Sequence, residues 1–270
     1  MMPVTRKRFD GFTLTFALAG ALMLAFILLP IANTIIQTPA SAIWDALTDS
    51  DVSDSLALTF YAATWATVIA LITGVPLAYL MARHNFSGKR WVEGIVNLPI
   101  VVPHTAAGIA LLTVLGRQGI VGKPLSNAGI RFTEDVPGIV AGMLFVSLPY
   151  LVNAAREAFA LIDPELEGVA QTMGATRAQA FAYVTLPLAS RGIIAGAVMM
   201  WGRGISEFGA VVMLAYHPKI IPVLVYERFA GFGLHAAQPV AVILILASLA
   251  VFILLQLLLV PKPEIARGEN

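Results

Sequence analysis

Arg203 and Glu207 are opposite charges four residues apart inside a long apolar stretch. A single charge at the centre of a membrane helix costs about 2.5–3.5 kcal/mol on insertion scales, so charges kept there pair with each other or serve transport. On a continuous helix this spacing brings both side chains to one face. The flanking residues Ser206, Phe208 and Gly209 extend the pair into one candidate pathway segment. We expect Arg203 to offset the charge of a passing anion and Glu207 to prevent tight binding; a mutually neutralised structural pair is the alternative.

A second candidate pathway segment contains two prolines four residues apart, Pro99 and Pro103, followed by His104 and Thr105. Proline lacks a backbone N–H and clashes with the preceding helical turn, so a regular helix is not expected here. Irregular backbone at membrane depth is tolerated only where it is buried in protein or lines a water-filled cavity. The segment predicts a kinked helix that lines a pathway, with a purely structural kink as the alternative.

A third segment, residues 160–187, is polar although it lies between two apolar stretches. Asp163 and the proline after it predict a helix start, and Glu165 and Glu167 place negative charge at the positive end of that helix. Gly174 then interrupts the helical pattern, and Pro187 predicts a helix stop. The segment predicts two short helices at a bend, lying across a membrane protein rather than through it.

The composition identifies the chain as a membrane protein. Of its 270 residues, 58% are hydrophobic and 12% are charged, whereas soluble domains are about 25% charged. The chain has no cysteine, which excludes disulfides and thiolate metal sites, and its four histidines are not paired at a metal-ligand spacing. No phosphate-binding loop precedes Lys89 or Lys123, so the chain itself is not expected to bind ATP. A net charge of +1 gives no indication of nucleic-acid binding.

We predict an all-α integral membrane protein with six transmembrane helices in one domain, residues 1–270. The first predicted span is an apolar run of about 20–25 residues, which is the length that a bilayer requires. In chain order the spans are Phe12–Ile36, Ser55–Met81, Trp91–Leu115, Val136–Phe159, Leu188–Ala215 and Pro239–Val260.

The distribution of basic residues predicts that both termini lie in the cytoplasm. Cytoplasmic segments of membrane proteins carry an excess of Lys and Arg. With six spans and a cytoplasmic N-terminus, the cytoplasmic segments hold Arg6, Lys7, Arg8, Arg83, Lys89, Arg90, Arg156, Arg177, Arg191, Lys262 and Arg267. The opposite side holds Arg117, Lys123, Arg131, Lys219 and Arg228.

The polar segment resembles the coupling loop of ABC importer permeases, in which a glycine and a later Leu-Pro stand at fixed spacing. One departure is that the acidic residue of that loop falls at Gly168, whereas the carboxylate here is one residue earlier, at Glu167. This resemblance implies that the loop contacts an ATPase. The residues that would make or shape this contact are Glu165, Glu167, Val169, Ala170, Gly174, Ala175, Leu186 and Pro187.

The segments around Pro99 and around Glu207 are similar to the molybdate/tungstate branch of these permeases, which often has a second proline where this chain has His104. The resemblance implies a type I importer permease in a prokaryotic cell membrane, without enzyme activity. It also implies a second copy of the chain, two cytoplasmic subunits that bind ATP and Mg, and an extracytoplasmic oxyanion-binding protein. The alternatives are a permease for sulfate or phosphate, a secondary transporter driven by an ion gradient and, least supported, a membrane-embedded enzyme.

Overall fold

The computed structural model of the chain describes residues 10–259, and this part of the chain contains helices and no strand. A π-helical turn, Phe181–Thr185, separates α9 from α10. The α-helices of the described residues are α1 (Gly11–Gln37), α2 (Ala40–Thr48), α3 (Ser50–Arg83), α4 (Lys89–Val101), α5 (His104–Leu115), α6 (Gly122–Asn127), α7 (Val136–Ala160), α8 (Glu165–Thr172), α9 (Arg177–Ala180), α10 (Leu186–Ile205), α11 (Gly209–Leu214), α12 (Ile221–Phe232) and α13 (Leu234–Leu259).

Five continuous helical segments in residues 10–259 are long and apolar enough to span a membrane, and α4 with α5 forms a sixth candidate, bent by 116°. The predicted all-α membrane fold is confirmed. The number of spans equals the predicted six when α4 and α5 together are counted as one span. The continuous segments are Gly11–Gln37, Ser50–Arg83, Val136–Ala160, Arg177–Ile205 and Leu234–Leu255. Of the basic residues used to predict orientation, Arg6, Lys7, Arg8, Lys262 and Arg267 lie outside the described residues.

Two predicted spans are not continuous helices. The third is divided between Val101 and His104, and the fifth ends at Ile205, with the separate helix α11 following it. The prediction that Arg203 and Glu207 share one continuous helix is therefore wrong, because Glu207 lies beyond the end of α10. The sixth predicted span corresponds to α13, which starts at Leu234, earlier than predicted. The predicted end of this span, Val260, lies outside the described residues.

Aspartate side chains start several of the long helices. Asp10 accepts a 2.9 Å hydrogen bond from the N–H of Thr13 at the start of α1, and Asp49 accepts a 2.8 Å bond from Asp51 at the start of α3. Asp135 accepts from the N–H of Val136, the first residue of α7. Each carboxylate satisfies an N–H group that has no partner within its helix.

Helix α7 lies at the centre of the bundle and packs on α3 and α10, which also contact each other. Small residues allow the close approach: a Cβ atom added at Gly192 or Gly196 of α10 would lie 2.5 Å from Ala158 or 2.7 Å from Ala154 of α7. Small residues at helix interfaces let membrane helices pack closely. The four-residue glycine spacing of α10 therefore forms a contact inside the chain.

The contact between α4 and α7 is polar. Asn153 Nδ2 donates a 2.7 Å hydrogen bond to Asn97 Oδ1, and Arg156 Nη1 lies 3.0 Å from Glu93 Oε1. The charged pair is partly exposed, at 30% for each side chain. The bundle thus has apolar contacts between α7 and its two main neighbours, whereas its contact with α4 adds two polar pairs to the buried Val96.

Candidate functional site

The polar segment between α7 and α10 folds as a bent pair of short helices, as predicted. Asp163 Oδ1 accepts a 2.9 Å hydrogen bond from the N–H of Glu165 and so starts α8. Gly174 has a φ of +98°, a left-handed conformation that only glycine adopts without strain. The N–H of Ala175 donates to the carbonyl of Ala170 at 3.0 Å and closes the bend. We call residues 160–187 the coupling segment.

The predicted helix stop at Pro187 is wrong. Thr176 and Gln179 form a capping box that starts α9, and the chain then continues through the π-helical turn into α10. Pro187 lies in the first turn of α10, where its missing N–H has no helical partner to lose. Leu186, the first residue of α10, packs on the hydrophobic core. The coupling segment therefore continues directly into a membrane-spanning helix.

Glu167 attaches the coupling segment to the bundle. Its carboxylate accepts hydrogen bonds from Tyr79 Oη at 2.8 Å, Arg83 Nε at 3.1 Å and Thr185 Oγ1 at 2.7 Å. Burial by itself would raise the pKa of this carboxyl, but the bonds from Thr185 and Tyr79 and the charge of Arg83 together lower the pKa below its ordinary value. Glu167 is thus an ionised internal anchor, bonded to α3 and to the π-helical turn.

The opposite side of the coupling segment is exposed and partly apolar. Leu161 is 88%, Val169 57% and Met173 84% exposed. Glu165 is also exposed, and Gly168 has no atom within 4 Å of an added Cβ. Exposed apolar residues on a polar segment can bind a partner protein. The carboxylate that is shifted by one residue relative to the family pattern therefore points into the bundle, whereas Gly168 is on the exposed side.

The two candidate pathway segments meet. Glu207 Oε2 lies 2.9 Å from Arg203 Nη2 and 3.1 Å from His104 Nδ1. Arg203 Nη2 is also 3.0 Å from each ring nitrogen of His104, and Arg203 Nη1 donates to Ser206 Oγ at 3.3 Å. Glu207 Oε1 accepts a 2.8 Å bond from the N–H of Ala210 in α11. We call His104, Arg203 and Glu207 the charged triad.

The charged triad has a buried side and an exposed side. The Glu207 side chain is 1% exposed, that of Arg203 20% and that of His104 37%. The depth of the triad in the bundle can be read from Gly204, the residue after Arg203. A Cβ atom added at Gly204 would lie 3.6 Å from Ala63 and 3.8 Å from Ser147. Ser147 is near the middle of α7. The triad is therefore level with the middle of the central membrane helix.

Close backbone contact joins α5 to α11 beside the triad. A Cβ atom added at Gly108 of α5 would lie 2.7 Å from the carbonyl oxygen of Ala210 and 2.9 Å from its Cα. A Cβ atom added at Gly209 of α11 would lie 2.7 Å from His104 Cβ. These distances are too short for any side chain, so both glycines are required where the halves of the two broken helices meet.

The remaining predicted pathway residues lie in different environments. Thr105 is exposed at the start of α5 and Pro103 is exposed at the break. Phe208 packs on Tyr226 of α12, with ring centroids 5.0 Å apart. Pro99 is buried within the last turn of α4, so the predicted break begins after it rather than at it.

Sequence reasoning missed the residues that hold Glu167. Tyr79 and Arg83 are four residues apart at the end of α3, and their polar groups within an otherwise apolar helix were the available signal. Thr185, five residues beyond the end of α9, had no signal of its own. Within residues 10–259, no group of three His, Asp or Glu side chains is placed to hold a metal ion.

A helical membrane bundle with an exposed polar segment on one side and a charged triad at half depth is the architecture of a transport subunit. Residues 74–261 match the family described as "Binding-protein-dependent transport system inner membrane component". The chain belongs to this family. It is therefore a membrane component of a transport system rather than an enzyme, as predicted.

Individual relatives carry more specific names. The "Molybdate/tungstate transport system permease protein WtpB" of Pyrococcus furiosus is 41% identical over 97% of this chain and 99% of its own length. The "Sulfate transport system permease protein CysT" of Salmonella typhimurium is 30% identical over 92% of this chain and 93% of its own length. The predicted resemblance to molybdate/tungstate permeases is confirmed.

A solved structure supports the fold. The structure described as "bacterial alginate ABC transporter in complex with alginate pentasaccharide-bound periplasmic protein" matches with a TM-score of 0.70, covering 91% of this chain and 93% of the other. The sequences are 18% identical, so the likeness concerns the fold alone. The predicted ABC importer permease fold is confirmed.

Proposed function

We propose that the chain is the membrane-spanning subunit of an ATP-driven importer for molybdate or tungstate. The observation that carries this proposal is the 41% identity, over almost the whole chain, to a permease named for these oxyanions. The charged triad supports it, because an arginine at mid-membrane depth is suited to a passing dianion. Sulfate is the second candidate, since a sulfate permease is 30% identical over 92% of the chain.

The proposed assembly contains two copies of this chain in a prokaryotic cytoplasmic membrane, with both termini in the cytoplasm. Two cytoplasmic subunits would bind ATP and Mg, and an extracytoplasmic protein would deliver the oxyanion. The exposed apolar residues Leu161, Val169 and Met173 would contact the ATPase. The alginate transporter supports a binding-protein partner, because its solved structure contains a periplasmic protein.

The proposed mechanism is alternating access. ATP-driven closure of the ATPases would move the coupling segment, and two connections would carry this movement into the bundle. One is the continuous path through the π-helical turn into α10, and the other is the anchor from Glu167 to α3. The chain itself would carry out no bond chemistry.

The test is reconstitution of this chain with its ATPase and binding protein in lipid vesicles. We expect ATP-dependent uptake of molybdate or tungstate that requires the binding protein, and little uptake of sulfate or phosphate. Uptake of sulfate alone would establish the second candidate. Uptake driven by an ion gradient without ATP would contradict an ATP-driven importer and indicate a secondary transporter.

A further inference from the structure

The charged triad is arranged with its two nitrogen-bearing side chains outward and its carboxylate inward. Glu207 is buried, while Arg203 and His104 both reach the protein surface. Ser206, which accepts a hydrogen bond from Arg203, is exposed beside them. An ion that approaches this surface therefore meets a guanidinium, an imidazole and a hydroxyl before the carboxylate behind them.

This surface does not face lipid. At the depth of the middle of α7, charged side chains face the interior of a bundle, a partner protein or a water-filled cavity. The helix breaks beside the triad, at Val102–Pro103 and at Ser206–Phe208, support the same conclusion, because non-helical backbone at this depth is tolerated only in those surroundings.

The ring nitrogens of His104 contact both charged residues of the triad. Nδ1 lies 3.1 Å from Glu207 Oε2, and both ring nitrogens lie 3.0 Å from Arg203 Nη2, with donor and acceptor roles that depend on the tautomer. Arg203 Nη2 donates to Glu207. Within the described chain, the charged groups that contact His104 are Arg203 of α10 and Glu207 after it. The charges of Arg203 and Glu207 offset each other, although the guanidinium reaches the surface and the carboxylate does not.

This arrangement fits a site for an ion that must bind and leave again. An arginine at low dielectric without a counter-charge would hold a dianion strongly. A buried carboxylate within hydrogen-bond distance of that arginine repels the same dianion and offsets much of the attraction. Conduction requires binding that is strong enough for entry and weak enough for release.

On the basis of the proposed function, we propose that Arg203 and His104 form a transient binding subsite for a tetrahedral oxyanion, and that buried Glu207 is the counter-charge that keeps its affinity low. The role of Glu207 is thus to set the rate of release. Its bond to the N–H of Ala210 holds the carboxylate in place at the start of α11.

The experiment changes the charge balance of the triad in two independent ways: His104→Arg introduces a second guanidinium, and Glu207→Gln removes the negative charge. His235→Arg is the matched control, because His235 is an exposed histidine of α13 outside the triad. The complex with its ATPase, but without the binding protein, is reconstituted in vesicles. Equilibrium binding of tungstate, molybdate, sulfate and phosphate is measured, followed by uptake per assembled complex with the binding protein present.

We expect His104→Arg and Glu207→Gln each to raise the affinity of the complex for the transported oxyanion at least about tenfold. Both variants should also lower maximal uptake severalfold, because release becomes slower. His235→Arg should change neither quantity. Oxyanion affinity that is unchanged or weaker in His104→Arg would overturn the proposal.

Glu207→Gln removes a buried charge and can prevent assembly. In that case His104→Arg alone decides the question, because this side chain is partly exposed. Because binding is measured for four oxyanions, the test of the subsite does not depend on which of them the complex transports. A wild-type complex that takes up only sulfate would refute the molybdate/tungstate assignment, while the binding series with sulfate would still test the role of Glu207.

Discussion

The hydroxyl of Tyr79 donates a 2.8 Å hydrogen bond to Glu167, a residue 88 positions later in the chain. The bond connects the coupling segment to α3, whereas the backbone connects the same segment to α10. Movement of the segment is therefore applied to two spans at once. Since α3 and α10 both pack on α7, both attachments lead to direct neighbours of the central helix.

Glu167→Gln should weaken the coupling between ATP hydrolysis and uptake. The substitution removes the charge that Arg83 contacts and replaces one acceptor oxygen by a donor, and hydrogen bonds to charged groups contribute about 1.5–3 kcal/mol. We expect the complex to assemble and its oxyanion uptake per ATP hydrolysed to fall severalfold. The measurement is uptake and ATP hydrolysis in the same vesicles. Glu157→Gln is the control, since Glu157 is an exposed carboxylate near the end of α7; equal losses in both variants would refute a specific anchor.

The attachment of the coupling segment should weaken in acid. The pKa of Glu167 is lowered in the folded protein, so its stabilising contribution is complete above the unfolded value of about 4.3 and is lost as pH falls through the lower folded value. Hydrogen exchange of α8 in lipid vesicles, from neutral pH downwards, is the measurement. We expect faster opening only below about pH 4, and no such transition in Glu167→Gln. If the wild type and Glu167→Gln were equally sensitive to acid, the faster opening of α8 would be caused by titratable groups other than Glu167.

Gly174→Ala should destabilise the bend of the coupling segment by about 1–2 kcal/mol, the cost of a left-handed conformation for a residue with a side chain. The cost arises from the backbone, because an added Cβ at this position has no atom within 4 Å. Gly168→Ala is the matched control, since it lies within α8, also has open space, and should stabilise the helix by about 0.5–1 kcal/mol. The measurement is limited proteolysis of the coupling segment, which should be faster than wild type in Gly174→Ala and no faster in Gly168→Ala.

Gly108→Ala should disrupt the contact between α5 and α11. The added methyl group would lie 2.7 Å from a carbonyl oxygen of Ala210, and backbone cannot move aside as a flexible side chain can. We expect a loss of thermal stability of about 1–3 kcal/mol, typical of overpacking, and strongly reduced uptake. At Gly94 of α4, an added Cβ has no atom within 4 Å, so Gly94→Ala is the control and should lose no stability. A neutral result for Gly108→Ala would show that α5 and α11 are not in close contact in the assembled complex.

A cysteine at position 105 should react with polar thiol reagents. Thr105 is exposed beside the triad, whereas its near neighbour Ala107 is 1% exposed and serves as the control position. The chain has no native cysteine, so labelling reports one site. We expect Thr105→Cys to be labelled in at least one nucleotide state and Ala107→Cys to remain unlabelled. Absence of labelling at position 105 in every state would remove this segment from the pathway.

Local sequence signals predicted the parts of the fold that depend on neighbouring residues. The start of α8 at Asp163 and the bend at Gly174 follow from capping and backbone conformation. The break after Ile205 did not, because apolar residues resume in α11 and the segment contains no helix-breaking proline. Pairing between Glu167 and Tyr79 also escaped prediction, since it depends on how α3 packs within the bundle. His104 was predicted to line the pathway. Its contact with Glu207 was not predicted, because it arises where the break between α4 and α5 meets the break between α10 and α11.

The contact between α4 and α7 contains two polar pairs beside the buried Val96. Water can replace the hydrogen bonds between Asn97 and Asn153 and between Glu93 and Arg156. The amide pair has a net contribution of about 0.5–1.5 kcal/mol, and the charged pair contributes about 1.5–3 kcal/mol. Separation of α7 from α3 or α10 would instead expose apolar surface at about 25 cal/mol per Å². A movement of α4 relative to α7 would therefore expose less apolar surface than a separation of α7 from α3 or α10, because part of the α4 contact is already polar.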